Sequence, residues 1–246
     1  MKKKLIFLGS GTSQGVPVIG CDCLICNSIN KKDKRLRSSV ILKLGKTNIL
    51  IDSGPDFRYQ ILKNKIKNID AVLYTHEHRD HVAGIDDLRS FYYLNKEPIN
   101  MYMSSKVLNA LKKDYSYLFS DKEYFGKPKL EIELIDKSKS FYVFNHEVIP
   151  IQVHHYKLPV LGYRFYNLAY ITDANFISES ELNKLKNLDI LIINCLQKKT
   201  HISHFNLEEV LEIIKNLEPK KTYLTHIGHG LGLHEEVQRE LPKNIY

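Results

Sequence analysis

The sequence lacks long hydrophobic runs, internal repeats and low-complexity segments. No apolar stretch in the 246 residues approaches the ~20 that a membrane-spanning helix needs, so we expect no membrane insertion. No Pro-, Gly- or Ser-rich linker divides the chain, and we predict a single domain over residues 1–246. The apolar stretch Leu5–Leu8 ends at Gly9, short of the ~7–15 residues of a signal-peptide core, which predicts a cytoplasmic protein.

Cysteine is also scarce, and its four positions are uneven. Four cysteines are too few for a disulfide scaffold in a chain of this length. Cys21, Cys23 and Cys26 lie within six residues, a spacing too tight for disulfides among themselves but suited to holding one ion. Cys195 ends an apolar run, and we predict that it is buried as a small hydrophobic residue.

The charge of the chain raises the question of an anionic partner. An apolar content of 43% with 26% charged residues is typical of a globular protein, whereas the net charge is +8. Most lysines are scattered over predicted helix faces, with one denser patch at residues 31–37. The charge fits a small phosphate-bearing substrate and leaves RNA open as a less favoured partner.

Predicted strands come in runs, and helices occur at intervals and toward the end of each half. This order favours two packed sheets with helices outside them over a strictly alternating parallel sheet. Asn206 and Glu209 predict a capping box at the start of one helix. The predicted strands cover residues 4–8, 38–44, 47–51, 71–75, 100–103, 130–134, 140–144, 148–153, 161–166, 168–172, 189–194 and 221–225, and the predicted helices cover 55–65, 82–94, 106–115, 178–186, 207–217 and 234–241.

The segment after the predicted strand 71–75 is dense in metal-ligand side chains. His76, His78, Asp80 and His81 fall within six residues. Four such side chains cannot all be core packing, because a buried imidazole or carboxylate without a partner costs several kcal/mol. On a turn that leaves a strand they can point into one cavity at the carboxyl end of a sheet, where α/β proteins place ligand sites.

Three further candidates follow predicted strands in the same way. His155, Asp173 and His226 come directly after or shortly after the strands at 148–153, 168–172 and 221–225. Strand alternation places His155, rather than its neighbour His154, on the face of Val153. Each of them alone would more often be a satisfied polar group, but together they predict one site.

These motifs resemble those of a known superfamily. The pattern His76-x-His78-x-Asp80-His81 and the preceding Asp52-Ser53-Gly54 are similar to the metal-binding motifs of the metallo-β-lactamase superfamily. The glycine- and cysteine-containing stretch of residues 9–26 and residues 224–229 narrow the resemblance to the PhnP-like phosphoribosyl 1,2-cyclic phosphate phosphodiesterases. The resemblance runs nearly end to end and implies an α/β fold, a four-layer αββα sandwich.

The resemblance also implies the ligand sets and the metal ions. His76, His78 and His155 would hold one divalent ion, Zn²⁺ or Mn²⁺. Asp80, His81 and His226 would hold a second, and Asp173 would bridge the two. A structural Zn²⁺ would be held by Cys21, Cys23, Cys26 and His229, a donor set that suits a closed tetrahedral site.

Proton transfer is expected from a residue near the ligands. His204 is the candidate for protonating the leaving alkoxide or stabilising the departing phosphate, beside a predicted helix N-terminus, and His201 competes with it. Asp80 is expected to act in catalysis as well as in metal binding. Glu77 is not expected to be a ligand. We expect His146, His154 and His234 to be surface or packing residues.

The sequence therefore predicts a metallo-hydrolase that cleaves a small cyclic or nucleotide-like phosphodiester by means of a metal-activated hydroxide. Three other interpretations stay open: an RNA-processing nuclease resembling the tRNA 3′-end endonuclease, a thioester or lactone hydrolase, and a biosynthetic partner without turnover resembling the protein of pyrroloquinoline quinone biosynthesis. The resemblance further suggests a homodimer.

Overall fold

The computed structural model describes residues 3–120 and 126–246. The chain forms two compact units, one from residues 1–9 and 38–136 and the other from residues 10–37 and 137–246. They are called the first unit and the second unit below. Each unit has its own sheet and its own hydrophobic core. The prediction of a single domain stays a prediction.

The first unit is built on a six-stranded mixed sheet in the order β1-β2-β3-β4-β5-β6. The first three strands pair antiparallel, and β3 to β6 pair parallel. With labels numbered along the whole chain, its elements are β1 (Lys3–Gly9), β2 (Ser39–Leu44), β3 (Thr47–Ile51), α2 (Phe57–Lys63), β4 (Ala71–Leu73), α3 (Arg79–Val82), α4 (Arg89–Asn95), β5 (Ile99–Met103), α5 (Ser105–Asp114), α6 (Ser116–Phe119) and β6 (Leu130–Leu134).

The prediction of one continuous helix over residues 82–94 is wrong. The chain instead forms α3, a 3₁₀ turn at Ile85–Leu88 and then α4. The break lies at Gly84, whose N–H donates to the Ser53 carbonyl at 2.8 Å instead of continuing the helix ladder. A Cβ on Gly84 would lie 2.4 Å from the carbonyl oxygen of Gly54, so only glycine fits at this position.

The second unit contains a mixed sheet in the order β11-β8-β9-β10-β12-β13, with β7 paired to β8. Strands β7 to β11 pair antiparallel where they meet, whereas β10, β12 and β13 pair parallel. Its elements are α1 (Leu24–Asn27), β7 (Phe141–Val143), β8 (His146–His155), β9 (Leu158–Phe165), β10 (Leu168–Ile171), β11 (Phe176–Ile177), α7 (Glu179–Asn183), β12 (Ile190–Asn194), α8 (Leu207–Leu217), β13 (Lys221–Thr225) and α9 (His234–Glu240).

Local sequence signals explain several of these elements. The capping box at α8 is confirmed, since the Asn206 side chain accepts from the Glu209 N–H and the Glu209 carboxylate accepts from the Asn206 N–H. Cys195 is fully buried, as predicted, among the apolar side chains of the second core. Three short elements, α1, α6 and β11, were not predicted, because segments of two to four residues carry no readable periodicity.

The predicted fold class is confirmed: the chain is a mixed α/β protein with two sheets and flanking helices. In the part of the chain that the structure describes, every helix is too short or too polar to cross a bilayer.

Candidate metal centres

The ligand-type side chains of the first unit lie at one edge of its sheet. Strands β3 and β4 are parallel neighbours, so their carboxyl ends meet at the same edge. Asp52 follows β3, and the segment with the four predicted ligands of this unit follows β4. His76 and His81 are buried and their ring centroids are 4.3 Å apart, while the rings of His76 and His78 are 4.6 Å apart. The structure therefore brings these predicted ligands together.

Asp52 holds Thr75 and His81 in place through hydrogen bonds to its carboxylate. It is fully buried, and its carboxylate accepts hydrogen bonds from the N–H and the hydroxyl of Thr75, both at 2.9 Å. A second contact joins the same carboxylate to Nδ1 of His81 at 2.7 Å. Burial raises the pKa of the Asp52 carboxyl, and the charge and hydrogen bond of His81 oppose that shift. Because Nδ1 of His81 faces Asp52, its Nε2 faces the Asp80 carboxylate, 3.0 Å away.

The backbone around Asp52 shows why this turn has its sequence. Asp52 has a φ of 62°, a left-handed conformation that costs a non-glycine residue roughly 1–2 kcal/mol. At Gly54 an added Cβ would lie 2.0 Å from the carbonyl oxygen of Asp80. The turn therefore needs glycine at residue 54, because the backbone of the ligand segment occupies the place of a side chain.

The ligand-type side chains of the second unit also share one edge. Strands β8 and β10 run in the same direction because both are antiparallel to β9, and β12 and β13 are parallel to β10. The carboxyl ends of all four strands therefore lie at the same edge of the sheet. His155 ends β8, Asp173 follows β10 and His226 follows β13.

At this edge the side chains contact one another. A ring nitrogen of His226 is 3.0 Å from the Asp173 carboxylate, and both residues are nearly fully buried. His155, Asp173 and His204 each offer a ligand atom within 4.8 Å of the others. Nδ1 of His155 contacts the Ser203 carbonyl at 2.8 Å, which makes that nitrogen the N–H and leaves Nε2 as the donor for a metal ion.

Asp173 and His226 share the unusual backbone of Asp52. Their φ angles are 51° and 52°, in the left-handed region that favours glycine. Asn194, at the end of β12, holds the strained turn after Asp173: its amide exchanges two hydrogen bonds of 2.9 Å with the backbone of Ala174. Asn194 was not among the predicted site residues, although a single amide at the end of a strongly apolar strand indicates a buried side chain that hydrogen-bonds to a neighbouring segment.

His204 is buried against the other imidazoles. Its ring stacks on that of His226 with centroids 4.8 Å apart, and the His155 ring lies 4.4 Å away. Burial, followed by the neighbouring His226, lowers the pKa of His204 to about 3, so the metal-free imidazole is neutral near pH 7. His201 is half-buried and lies farther from the group, with its ring 5.3 Å from that of His204.

The expected meeting of a phosphate with the N-terminus of α8 is not favoured. The N–H groups of Asn206 and Glu209 are engaged in the capping box, and that of Leu207 donates to the Gln197 carbonyl at 3.0 Å. A helix whose first N–H groups already have protein partners offers fewer donors to an anion.

The other predicted histidines have packing roles in the structure. His146 is buried and bonds the Tyr166 hydroxyl through Nδ1 at 2.9 Å. His154 packs its ring against Phe176. The ring of His234 contacts the Arg35 guanidinium through Nδ1 at 3.4 Å, and its backbone N–H donates to Asp33 at 2.7 Å.

The cysteine cluster forms a second group of ligand-type side chains within the second unit. The Sγ atoms of Cys21, Cys23 and Cys26 each lie 3.4 Å from Nδ1 of His229. In a tetrahedral zinc site with ordinary bond lengths, a sulfur and a nitrogen ligand are about 3.6 Å apart. The donor set and its dimensions therefore fit one zinc ion, and all four cysteines of the chain are free of disulfides.

Backbone groups tune these thiols. The N–H of Cys26 contacts the sulfur of Cys23 at 3.4 Å, and this contact lowers the pKa of the Cys23 thiol to about 6. Burial raises the pKa of the Cys26 thiol to about 11, although its sulfur accepts from the Val18 N–H at 3.3 Å. A bound cation would favour the thiolate form of each cysteine.

Comparisons with known proteins agree with this geometry. The family model described as "Beta-lactamase superfamily domain" matches residues 47–227. The chain belongs to this superfamily. A diphosphatase from the PhnP family, known from a crystal structure, has 38% sequence identity to this chain. The structural match has a TM-score of 0.92 and covers 99% of this chain and 94% of that chain. The predicted resemblance to PhnP-like metallo-hydrolases is thereby confirmed, and the beta-lactamase superfamily fold implies divalent metal ions.

Two curated relatives carry other names. The octanoyltransferase of Porphyromonas gingivalis is 39% identical over 246 residues, covering 99% of this chain and 49% of that protein. The ribonuclease Z of Prochlorococcus marinus is 30% identical over 168 residues, covering 63% of this chain and 47% of that protein. The beta-lactamase superfamily chain thus spans about half the length of these relatives.

Proposed function

We propose that the chain is a phosphodiesterase that hydrolyses a small cyclic or nucleotide-like phosphodiester with the help of two divalent metal ions. The observation that carries this proposal is the gathering of imidazole and carboxylate groups at one edge of each sheet. His155, Asp173 and His204 lie within 4.8 Å of one another by their ligand atoms, and Asp80 lies 3.0 Å from His81. The 38% identity to a PhnP-family diphosphatase supports phosphate chemistry.

By the resemblance, one ion would be held by His76, His78 and His155, the other by Asp80, His81 and His226, with Asp173 shared. The chemistry of each residue fits this assignment. Neutral imidazoles and carboxylates bind both Zn²⁺ and Mn²⁺, which supports either ion as the metal of this site. The hydrogen bonds of the ligands to their neighbours also fit this assignment. Nδ1 of His81 contacts the Asp52 carboxylate, and Nδ1 of His155 contacts the Ser203 carbonyl.

When bound, the ions would lower the pKa of a water to about 7 and neutralise charge on the phosphodiester. Side chains of the protein would orient the reacting water and the departing oxygen. Asp80 would serve both as a ligand and as a neighbour of the reacting water. His204 would donate to the departing oxygen, with His201 as its competitor. Burial keeps His204 neutral, so a bound phosphate has to raise its pKa before it can deliver a proton.

A structural zinc in the cysteine cluster completes the proposal. It would tie the loop of Cys21–Cys26 to the residue three positions after His226. Free thiols that hold zinc are typical of a reducing compartment, which supports a cytoplasmic location. A homodimer stays the expected assembly by resemblance.

A substrate panel tests the proposal. The purified full chain is assayed with Mn²⁺ and with Zn²⁺ on bis(p-nitrophenyl) phosphate, a cyclic ribose phosphate, a precursor tRNA and an octanoyl thioester. We expect turnover of the first two substrates. The thioester arm is included because one relative is called an octanoyltransferase. Thioester turnover without phosphodiester cleavage under any metal condition would overturn the proposal.

RNA processing is the second candidate, favoured by the relative named ribonuclease Z and by the net charge of +8. Binding to RNA through many phosphates weakens steeply with salt, because counterions are released on binding. A precursor-tRNA affinity that falls by orders of magnitude between 50 and 200 mM salt, together with cleavage of that tRNA, would select the nuclease.

A further inference from the structure

The side chain of Asn175 joins two loops that carry candidate site residues. Its Oδ1 accepts from the Tyr156 N–H at 2.7 Å, and its Nδ2 donates to the Ile202 carbonyl at 3.1 Å. Tyr156 directly follows His155, and Ile202 precedes His204 by two residues. Asn175 itself follows Asp173 by two residues, so one amide is hydrogen-bonded to both of the other segments.

Backbone contacts link the same three segments. The Asn175 N–H donates to the His154 carbonyl at 2.8 Å, and the Phe205 N–H donates to the Ala174 carbonyl at 2.7 Å. The third side of the triangle is closed by the His155 ring and the Ser203 carbonyl, 2.8 Å apart. A shift of any one segment therefore strains its contacts with the other two.

The turn after His155 depends on such outside support. Tyr156 and Lys157 form the two-residue connection between β8 and β9, since His155 pairs with Leu158. Tyr156 has a φ of 57°, and glycine is the residue preferred at a first turn position with positive φ. A tyrosine in this conformation is strained, and the hydrogen bond from its N–H to Asn175 helps to offset that strain.

We infer that Asn175 is a positioning residue for the metal centre: its amide holds the turn of His155 and the segment of His204 in register with Asp173. This inference rests on the proposed function. An amide is required because one atom accepts and the other donates. Aspartate in its place would keep the acceptor for Tyr156 but would set a carboxylate against the Ile202 carbonyl. Alanine would remove both contacts.

The test compares Asn175→Ala, Asn175→Asp and the matched control Asn183→Asp in the full chain. Asn183 is exposed on α7, so the control makes the same chemical change on the surface of the second unit. Mn²⁺ affinity is measured by electron paramagnetic resonance of free Mn²⁺, without substrate. The zinc held by the cysteines is counted, and the melting temperature, kcat and KM are recorded for each protein.

We expect both Asn175 variants to lose about 10–100-fold in Mn²⁺ affinity or kcat, the range for groups that orient metal ligands. Their cysteine-held zinc should be unchanged, and Asn183→Asp should match the parent. The added negative charge of Asn175→Asp favours cation binding in general, so a loss in that variant is direct evidence for lost orientation. Because Asn175→Asp keeps the contact to Tyr156, it serves the test if Asn175→Ala does not fold.

A folded Asn175→Asp variant with Mn²⁺ affinity and kcat within about twofold of the parent would overturn the inference. A variant that only melts earlier, with both Mn²⁺ affinity and kcat unchanged, would overturn it as well, because that result describes a purely structural contact. Parent protein that binds Mn²⁺ yet cleaves no phosphodiester would count against the proposed function alone, since the affinity comparison does not depend on turnover.

Discussion

The two groups of ligand-type side chains in the second unit are built in opposite ways. The cysteine cluster takes three of its four ligands from six consecutive residues, and each sulfur lies 3.4 Å from the same histidine nitrogen. His155, Asp173 and His204 come one each from three separate segments of the chain, the end of β8 and two loops, and include a carboxylate. Three sulfurs and one imidazole would fill all four positions of a tetrahedral zinc ion and leave none for a substrate, whereas a set of imidazoles and a carboxylate can leave one position open.

The role of each ligand set is related to where its residues lie along the chain. A ligand set made by one short loop and one distant residue can fasten that loop, because a closed metal site contributes folding free energy. A set assembled from the ends of several strands is held by the sheet and its hydrogen bonds, here by Asn194 behind Asp173. We therefore expect the first set to control stability and the second to control turnover.

The largest expected effect comes from Asp173→Ala or His78→Ala. Each variant should lose more than about 100-fold in kcat, because even the groups that merely orient ligands cost up to that much. Steady-state kinetics on bis(p-nitrophenyl) phosphate measure the loss, and circular dichroism checks that the protein stays folded. Zinc analysis should still find the equivalent bound by the cysteines. A variant that kept parental turnover would contradict the catalytic role of this second set of ligands.

Cys23→Ala should have a smaller effect than Asp173→Ala, and it should act on stability rather than on turnover. We expect the loss of one zinc equivalent and a lower melting temperature. An ion present at 100 times its dissociation constant contributes about 2.7 kcal/mol, or roughly 5–11 °C for a chain of this size. Differential scanning calorimetry with metal counting measures both changes. Turnover by the protein that remains folded should fall much less than in Asp173→Ala.

The same contrast explains how much could be predicted from sequence. The histidine-rich segment and the cysteines were readable because their ligands are close together along the chain. Strand ends gave His155, Asp173 and His226, since the carboxyl ends of parallel strands share an edge. The structure brings together the predicted ligands of each unit, but the identity of the partner ligands around each ion came only from the resemblance.

What the sequence did not reveal depends on contacts between distant residues. The hydrogen bonds that Asn175 and Asn194 make to ligand loops join residues about 20 positions apart or more, and no local pattern encodes them. The left-handed conformations of Asp52, Asp173 and His226 were equally invisible, because a non-glycine residue gives no sign of positive φ. The broken helix at Gly84 was missed because the apolar spacing continued across it.

The smallest expected effect tests whether a carboxylate among the ligands must itself be one. Glu77 lies between His76 and His78, yet its carboxylate forms an ion pair with Lys106 at 3.0 Å, whereas Asp80 faces His81 at the same distance. Partly exposed pairs of this kind contribute about 0–1 kcal/mol. Glu77→Gln should therefore keep metal content and kcat within about twofold and shift the melting temperature by at most ~4 °C. Loss of a metal equivalent in this variant would show that a surface ion pair does not exclude a carboxylate from the metal centre, so that proximity along the chain, rather than the contacts of each side chain, decides which residues bind.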